Sequence, residues 1–267
     1  MSPMEVTFSL TVAQHEILRH HLFPGDGKEA AAIILCGRRA GVIRHRLLAQ
    51  KIFPIPHTAC IERTPVSIAW PTDVMEPWLQ EADKLSLSVV KIHSHPGGYA
   101  DFSPQDDDSD ADLLPCIADW IEEEIPHASA VMLPDGRIFA RISMHNGFQR
   151  LRLVAVVGDD LLFWRPYDFG HEPAPKLPEF TNRHAKAFGE RTTLALRELS
   201  IAVIGASGTG SPTILQLAHL GVARLALVDP DKVHHLTSIG FITPRLRMQK
   251  QSGSKLTCWP TPWNASD

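Results

Sequence analysis

A short apolar run, Val89-Val90-Lys91-Ile92, ends in His93-Ser94-His95-Pro96-Gly97-Gly98, and this junction restricts the possible folds more than any other stretch. The run reads as a buried strand. Side chains alternate along a strand, so His93 and His95 share a face, and two imidazoles at a strand end make half of a zinc site. Pro96 and the two glycines stop the strand. Ser103-Pro104-Gln105-Asp106 then reads as a helix start, with Ser at the N-cap and Pro at the first helical position. Asp106 falls in the first turn, where the helix dipole favours a carboxylate. A loop of this length can fold Asp106 back towards the histidines. Two nitrogens, one carboxylate and an open fourth position are the donor set of a hydrolytic zinc centre. Either half alone says little, because Ser-x-x-Asp is also an ordinary helix cap.

Together, His93-x-His95-Pro96 with Ser103 and Asp106 at these offsets resembles the signature of the JAMM (MPN+/JAB) metallopeptidases. That pattern includes an upstream glutamate, a short apolar strand and then Gly. Glu29 stands before Ala30-Ala31-Ala32-Ile33-Ile34-Leu35-Cys36-Gly37 and matches it. The resemblance implies zinc held by His93, His95 and Asp106, with Glu29 as general base and Ser103 donating to the oxyanion. It implies a cytidine-deaminase-like α/β sandwich. It also implies hydrolysis of an amide or isopeptide bond after the C-terminus of a ubiquitin-like or sulfur-carrier protein.

With 267 residues, the chain is expected to hold two domains. Hydrophobic residues at 44%, charged residues at 21% and a net charge of -4 describe an ordinary globular chain with no electrostatic footprint for nucleic acid. No apolar run is long enough to span a bilayer, and Met1-Ser2-Pro3-Met4-Glu5 lacks the features of a secretory signal. Cys36, Cys60, Cys116 and Cys258 form no disulfide framework, which fits a reducing cytoplasm. Of the fourteen histidines, most, such as His20, His21 and His45, have no partner at ligand spacing and read as surface residues.

Residues 1–145 are expected to form the metallopeptidase domain. Val12 to Leu22 has helical spacing and is ended by Pro24-Gly25-Asp26-Gly27. Glu29 to Cys36 reads as the first core strand, Gly41 to Pro54 as one or two more, and Pro65 to Trp70 as another. Thr72 or Asp73 is expected to cap a helix through Leu85. Asp106 to Glu124 is expected to be helical, its Asp107, Asp108, Asp110 and Asp112 forming a solvated face. Ala128 to Leu133 and Arg137 to Ile142 read as a hairpin around Pro134-Asp135-Gly136.

Residues 146–180, with Pro166, Pro173, Pro175 and Pro178, read as a linker. Residues 181–244 then carry a helix from Arg183 to Leu199, a strand Ile201-Ala202-Val203-Ile204, and the loop Gly205-Ala206-Ser207-Gly208-Thr209-Gly210. A helix follows, then the strand Leu225 to Val228 and Asp229-Pro230-Asp231. This is half of a nucleotide-binding βαβ unit. Backbone amides around Gly205, Gly208 and Gly210 would bind phosphate, and Asp229 and Asp231 would face the ribose. Arg183, Phe188-Gly189, the loop, Gly221-Val222 and Leu227 to Val233 look like the ThiF and ubiquitin-activating adenylyltransferases. Ser207 stands where that family usually has a second Gly, and a side chain there crowds the approach to phosphate.

ATP is the nucleotide the resemblance implies. However, the segments that bring the family's arginine, lysine and magnesium ligand are replaced after Val233 by His234-His235-Leu236-Thr237-Ser238-Ile239-Gly240. Residues 245–267 lack apolar periodicity and do not read as the rest of a sheet. Two origins fit this tail, a shifted reading frame that would spell Leu-Asn-Arg across Thr237 to Gly240, and a natural divergent end. The expectation is an incomplete Rossmann-like unit without adenylating activity. An activating enzyme and a non-catalytic module that binds a ubiquitin-like protein are the alternatives.

Overall fold

A computed structural model describes residues 5–41, 44–121, 126–144, 147–229, 247–251 and 255–259. The chain divides into two compact units, Met1–Ala174 and Pro175–Asp267.

The first unit runs β1 (Glu5–Thr11), α1 (Val12–Leu22), β2 (Ala31–Ala40), β3 (Arg44–Pro54), β4 (Glu62–Arg63), β5 (Ile68–Ala69), α2 (Glu76–Lys84), β6 (Ser88–Ser94), α3 (Pro104–Trp120), β7 (Ala128–Met132), β8 (Ile138–Met144), β9 (Gly147–Arg150), β10 (Leu153–Val157) and β11 (Leu161–Trp164). Among the described residues, nine of these strands form one sheet in the order β11-β10-β1-β3-β2-β6-β7-β8-β9. β6 lies next to its central strand β2, antiparallel to it with Ala31 opposite His93, and parallel to β7 with His93 opposite Val131.

Alternation sorts the core into two layers. Val90 and Ile92 of β6 join Ala32 and Ile34 of β2 against Leu18 and Leu22 of α1. Val89 joins Ile33 and Leu35 on the other face, against Ala82 of α2 and Leu114 and Ile117 of α3. Each fully buried Val, Leu or Ile among them contributes about 1.5–3 kcal/mol of hydrophobic stabilisation. This mixed α/β layering is the expected fold class. It also places Lys91 and His93 on the face that α3 covers.

α1 spans the expected residues because Thr11 and Gln14 form a capping box. The Thr11 hydroxyl accepts the Gln14 N–H at 3.2 Å, and the Gln14 side chain accepts the Thr11 N–H at 2.9 Å. Elsewhere the structure departs from the sequence reading. Neither Thr72 nor Asp73 caps α2; a 3-10 turn over Thr72–Val74 precedes a helix with no side-chain cap. Residues 147–164, read as linker, are strands β9 to β11. β10 pairs with β1 in parallel because Leu153 to Val157 is a continuous apolar run that needs a buried position. His45 is buried, not on the surface.

The second unit holds α4 (Asn182–Phe188), α5 (Glu190–Glu198), β12 (Ser200–Ile204), α6 (Gly210–His219), β13 (Arg224–Val228), β14 (Arg247–Gln251) and β15 (Lys255–Trp259). The expected single helix from Arg183 is broken at Gly189, whose φ of +86° no helix accommodates. β12 and β13 are parallel, with Ser200 opposite Arg224, and α6 connects them as in a βαβ unit. The tail, which does not read as the rest of a sheet, nevertheless adds two strands to one. β15 pairs antiparallel with β13, and β14 with β15. Leu256 and Cys258 alternate with Lys255 and Thr257, a strand pattern that the polar bulk of the tail hides.

Candidate metal centre

The imidazoles leave the end of β6 on the α3 side. α3 begins at Ser103 with a second capping box. Ser103 Oγ accepts the Asp106 N–H at 3.2 Å, and Asp106 Oδ2 accepts the Ser103 N–H at 2.7 Å. Ser103 Oγ–H also donates to Asp106 Oδ2 at 2.8 Å. The box turns the Asp106 carboxylate back over the strand end. His93 Nε2 lies 2.9 Å from Asp106 Oδ1, His95 Nε2 lies 3.3 Å from Asp106 Oδ2, and the two Nε2 atoms are 3.1 Å apart. Glu29, buried just before β2, has a carboxylate oxygen within 4.8 Å of a ring nitrogen of each histidine. Its backbone is fixed on both sides: its N–H donates to the Thr64 carbonyl at 2.8 Å, and its carbonyl accepts from Arg63 Nε at 2.7 Å.

These residues fit a zinc ion. His95 Nδ1 lies 2.8 Å from the Tyr99 carbonyl. A carbonyl only accepts, so Nδ1 carries a proton, and a metal that displaced the Nε2 proton from Asp106 would meet the Nε2 lone pair, as a metal-ligating imidazole requires. The donor atoms are two nitrogens and a carboxylate, the set that zinc prefers at a hydrolytic site. The loop that supplies Tyr99 is itself clamped. His171 Nε2 lies 2.5 Å from the Ala100 carbonyl, His171 Nδ1 accepts from Arg150 at 3.1 Å, and Arg150 pairs with Asp101 at 2.7 Å.

The electrostatics follow from burial and from these contacts. Burial pushes the Glu29 carboxyl up to about 7, with nearby His95 pulling it down in part. Burial also raises Asp106, but hydrogen bonds from His93 and His95 outweigh it and hold that carboxyl far below the usual range. His93 is lowered by burial. Burial lowers His95 too, but its bonds to Asp106 and Tyr99 more than compensate and raise it.

All five residues expected at this site are thus brought together. The expectation for the acidic run of α3 is corrected. Asp110 is fully buried, and Asp107 pairs with the buried Arg141. Asp110 lies one turn beyond Asp106, so it faces the sheet as Asp106 does. The Tyr99 carbonyl and Arg63 were missed, because backbone acceptors and loop-borne cations leave no spacing signal.

In the second unit the glycine loop turns tightly between β12 and α6. Gly205 has φ of +88°, and a Cβ on Gly210 would lie 1.8 Å from the Gly205 carbonyl oxygen, so only Gly fits there. Nothing crowds Gly208 within 4 Å. Asp229 Oδ2 accepts the Ala206 N–H at 2.6 Å, which ties the end of β13 to the loop. Asp231 lies outside the described residues.

An α/β sheet that delivers two histidines, an aspartate and a buried glutamate to one spot defines a cluster that could hold a metal ion. The family model for prokaryotic homologs of the JAB domain matches residues 11–144, half of the chain, and the chain belongs to that family, which is typically zinc-binding. The ThiF family model matches residues 181–236. Together the two matches support a role in a ubiquitin-like-protein pathway. No match is found among the curated proteins. Among solved structures, the solution structure of protein DSY2949 from Desulfitobacterium hafniense aligns at 14% identity, over 62% of this chain and 99% of that one, with a TM-score of 0.40. Among the described residues, no helix is long and apolar enough to cross a membrane.

Proposed function

We propose that the first unit is a zinc-dependent peptidase or isopeptidase that cleaves after the C-terminus of a ubiquitin-like or sulfur-carrier protein. We propose further that the second unit, which matches the ThiF family model, does not adenylate. The observation that carries the first reading is the convergence of His93 Nε2, His95 Nε2 and the Asp106 carboxylate, 2.9 to 3.3 Å from one another, beside a buried Glu29. His93, His95 and Asp106 would hold the metal. When bound, zinc would supply a Lewis acid that polarises the scissile carbonyl and acidifies water.

The chain's own groups would do the rest. Glu29, which burial makes a better proton acceptor, takes the proton of the attacking water and passes it to the leaving amine. The rigid backbone on both sides of Glu29 keeps that carboxylate aimed. Ser103 orients Asp106 through its one hydroxyl proton, and once Asp106 turned its carboxylate to a metal that proton would be released to the developing oxyanion. The Tyr99 carbonyl keeps His95 in the ligating tautomer.

Glu29→Gln tests the reading. The amide cannot accept a proton, so cleavage of a ubiquitin-like fusion should fall about 10²–10⁴-fold while zinc remains bound. A variant that cleaves as fast as the parent would remove Glu29 from the mechanism. A parent with bound zinc and no cleavage of any ubiquitin-like fusion would favour a binding module.

A further inference from the structure

Three charged side chains are buried next to this site, and none of them touches the proposed metal position. Lys91, Asp110 and Arg141 are each at most 5% exposed. Lys91 Nζ pairs with Asp110 Oδ1 and reaches Ser109 Oγ at 3.4 Å. Arg141, on β8, donates to Asp110 Oδ2 through Nε at 3.0 Å and Nη2 at 2.7 Å, and also pairs with Asp107. Its guanidinium is sandwiched between the rings of Phe102 and Phe148, 3.8 and 3.9 Å from their centroids. Asp110 is therefore held from two strands at once.

Burying three ions is a poor route to stability, since desolvation cancels most of the attraction and apolar residues of similar size would do as well. Such groups do impose one register on the elements they join. The register here is that of α3 on β6. Lys91 and His93 are two residues apart on one face of the strand. Asp110 and Asp106 are four apart on one face of the helix. The pairs Lys91–Asp110 and His93–Asp106 are thus successive rungs between the same two elements. Sliding or rotating α3 enough to move Asp106 off the imidazoles would break the lower rung and leave charges unpaired in the core.

We propose that Lys91, Asp110 and Arg141 are positioning residues for the metal site, a buried ionic clamp that sets the register of α3 and so holds Asp106 against His93 and His95. This rests on the zinc-site reading above.

Zinc affinity, measured by chelator competition well below the melting temperature, tests it alongside thermal unfolding. In the full chain, Lys91→Met, Asp110→Leu and Arg141→Met together should leave the melting temperature at or above that of the parent. Zinc affinity should fall about 10- to 100-fold, the range seen when groups that orient metal ligands are lost. Arg141→Lys keeps the charge and loses the planar fork, so it should fold and lose a smaller but measurable part of the affinity. If the triple variant does not fold, Arg141→Lys alone decides. A folded variant that binds zinc as tightly as the parent overturns the clamp and leaves the metal site standing. A parent that binds no zinc overturns both.

Discussion

β6 and β12 look alike in sequence. Each is a short apolar strand that runs into a loop carrying chemistry, His93-Ser94-His95-Pro96 in one case and Gly205 to Gly210 in the other. In the structure they differ sharply. Every residue of β6 is buried, with α1 on one side of the sheet and α2 and α3 on the other. No residue of β12 or β13 is buried, and Ile204 is 82% exposed. Parallel strands are stable when both faces are covered. A glycine loop needs only its own backbone and the adjacent strand to take shape, so it can form in an uncovered sheet. The metal centre needs β2, β6 and α3 locked together. Among the described residues, the first unit therefore has an assembled cluster, whereas β12 and β13 carry a glycine loop on strands without a buried residue.

Proteolysis should show the largest contrast between the two regions. Strands with exposed faces open at low free energy. Limited digestion of the native chain should cut between residues 200 and 228 well before any site in β2, β6 or α3, and ATP–pyrophosphate exchange should stay at background with any ubiquitin-like partner. First cuts in the first unit, or robust exchange, would erase the distinction.

Ser103 sharpens the comparison, because its function depends on a cap in the assembled unit. Ser103→Ala should slow hydrolysis about 10²–10³-fold by removing an oxyanion donor. It should also cost about 1 kcal/mol of stability by removing the N-cap of α3. A loss of stability with an unchanged rate would reduce Ser103 to a cap.

A third effect is in pH. His127 Nδ1 accepts the Val89 N–H at 3.0 Å, a bond that joins the β7 entry to β6 and needs a neutral ring acceptor. Burial lowers this histidine to about 4. The unfolded chain takes up the proton below about pH 6.5, while the folded one refuses it until about 4. Stability of the first unit should be full above pH 6.5 and erode by roughly 3 kcal/mol as pH falls to 4. His127→Gln can still accept the Val89 N–H and should flatten that slope in urea titrations. An identical slope would assign the pH dependence elsewhere.

How much of this could be read in the sequence depended on how local each signal was. α1 was legible because its periodic stretch runs straight into a Pro-Gly stop. His93, His95, Ser103 and Asp106 were legible because strand alternation and a capping box put their chemistry within one short segment. Asp110 was not, because a run of acids gives no indication of which one faces the sheet; only its place one turn beyond Asp106 carries that information. β10 was hidden because its value lies in pairing with β1, about 145 residues away, and the prolines after it dominated the reading. The tail hairpin was hidden for the same reason, since β15 is defined by its pairing with β13.

Zinc content tests the central claim most directly. The purified full chain, exchanged into zinc-containing buffer and weighed by native mass spectrometry, should carry one zinc ion, and His93→Ala with His95→Ala should carry none. A parent that remains metal-free, or a double variant that keeps its zinc, would contradict the account.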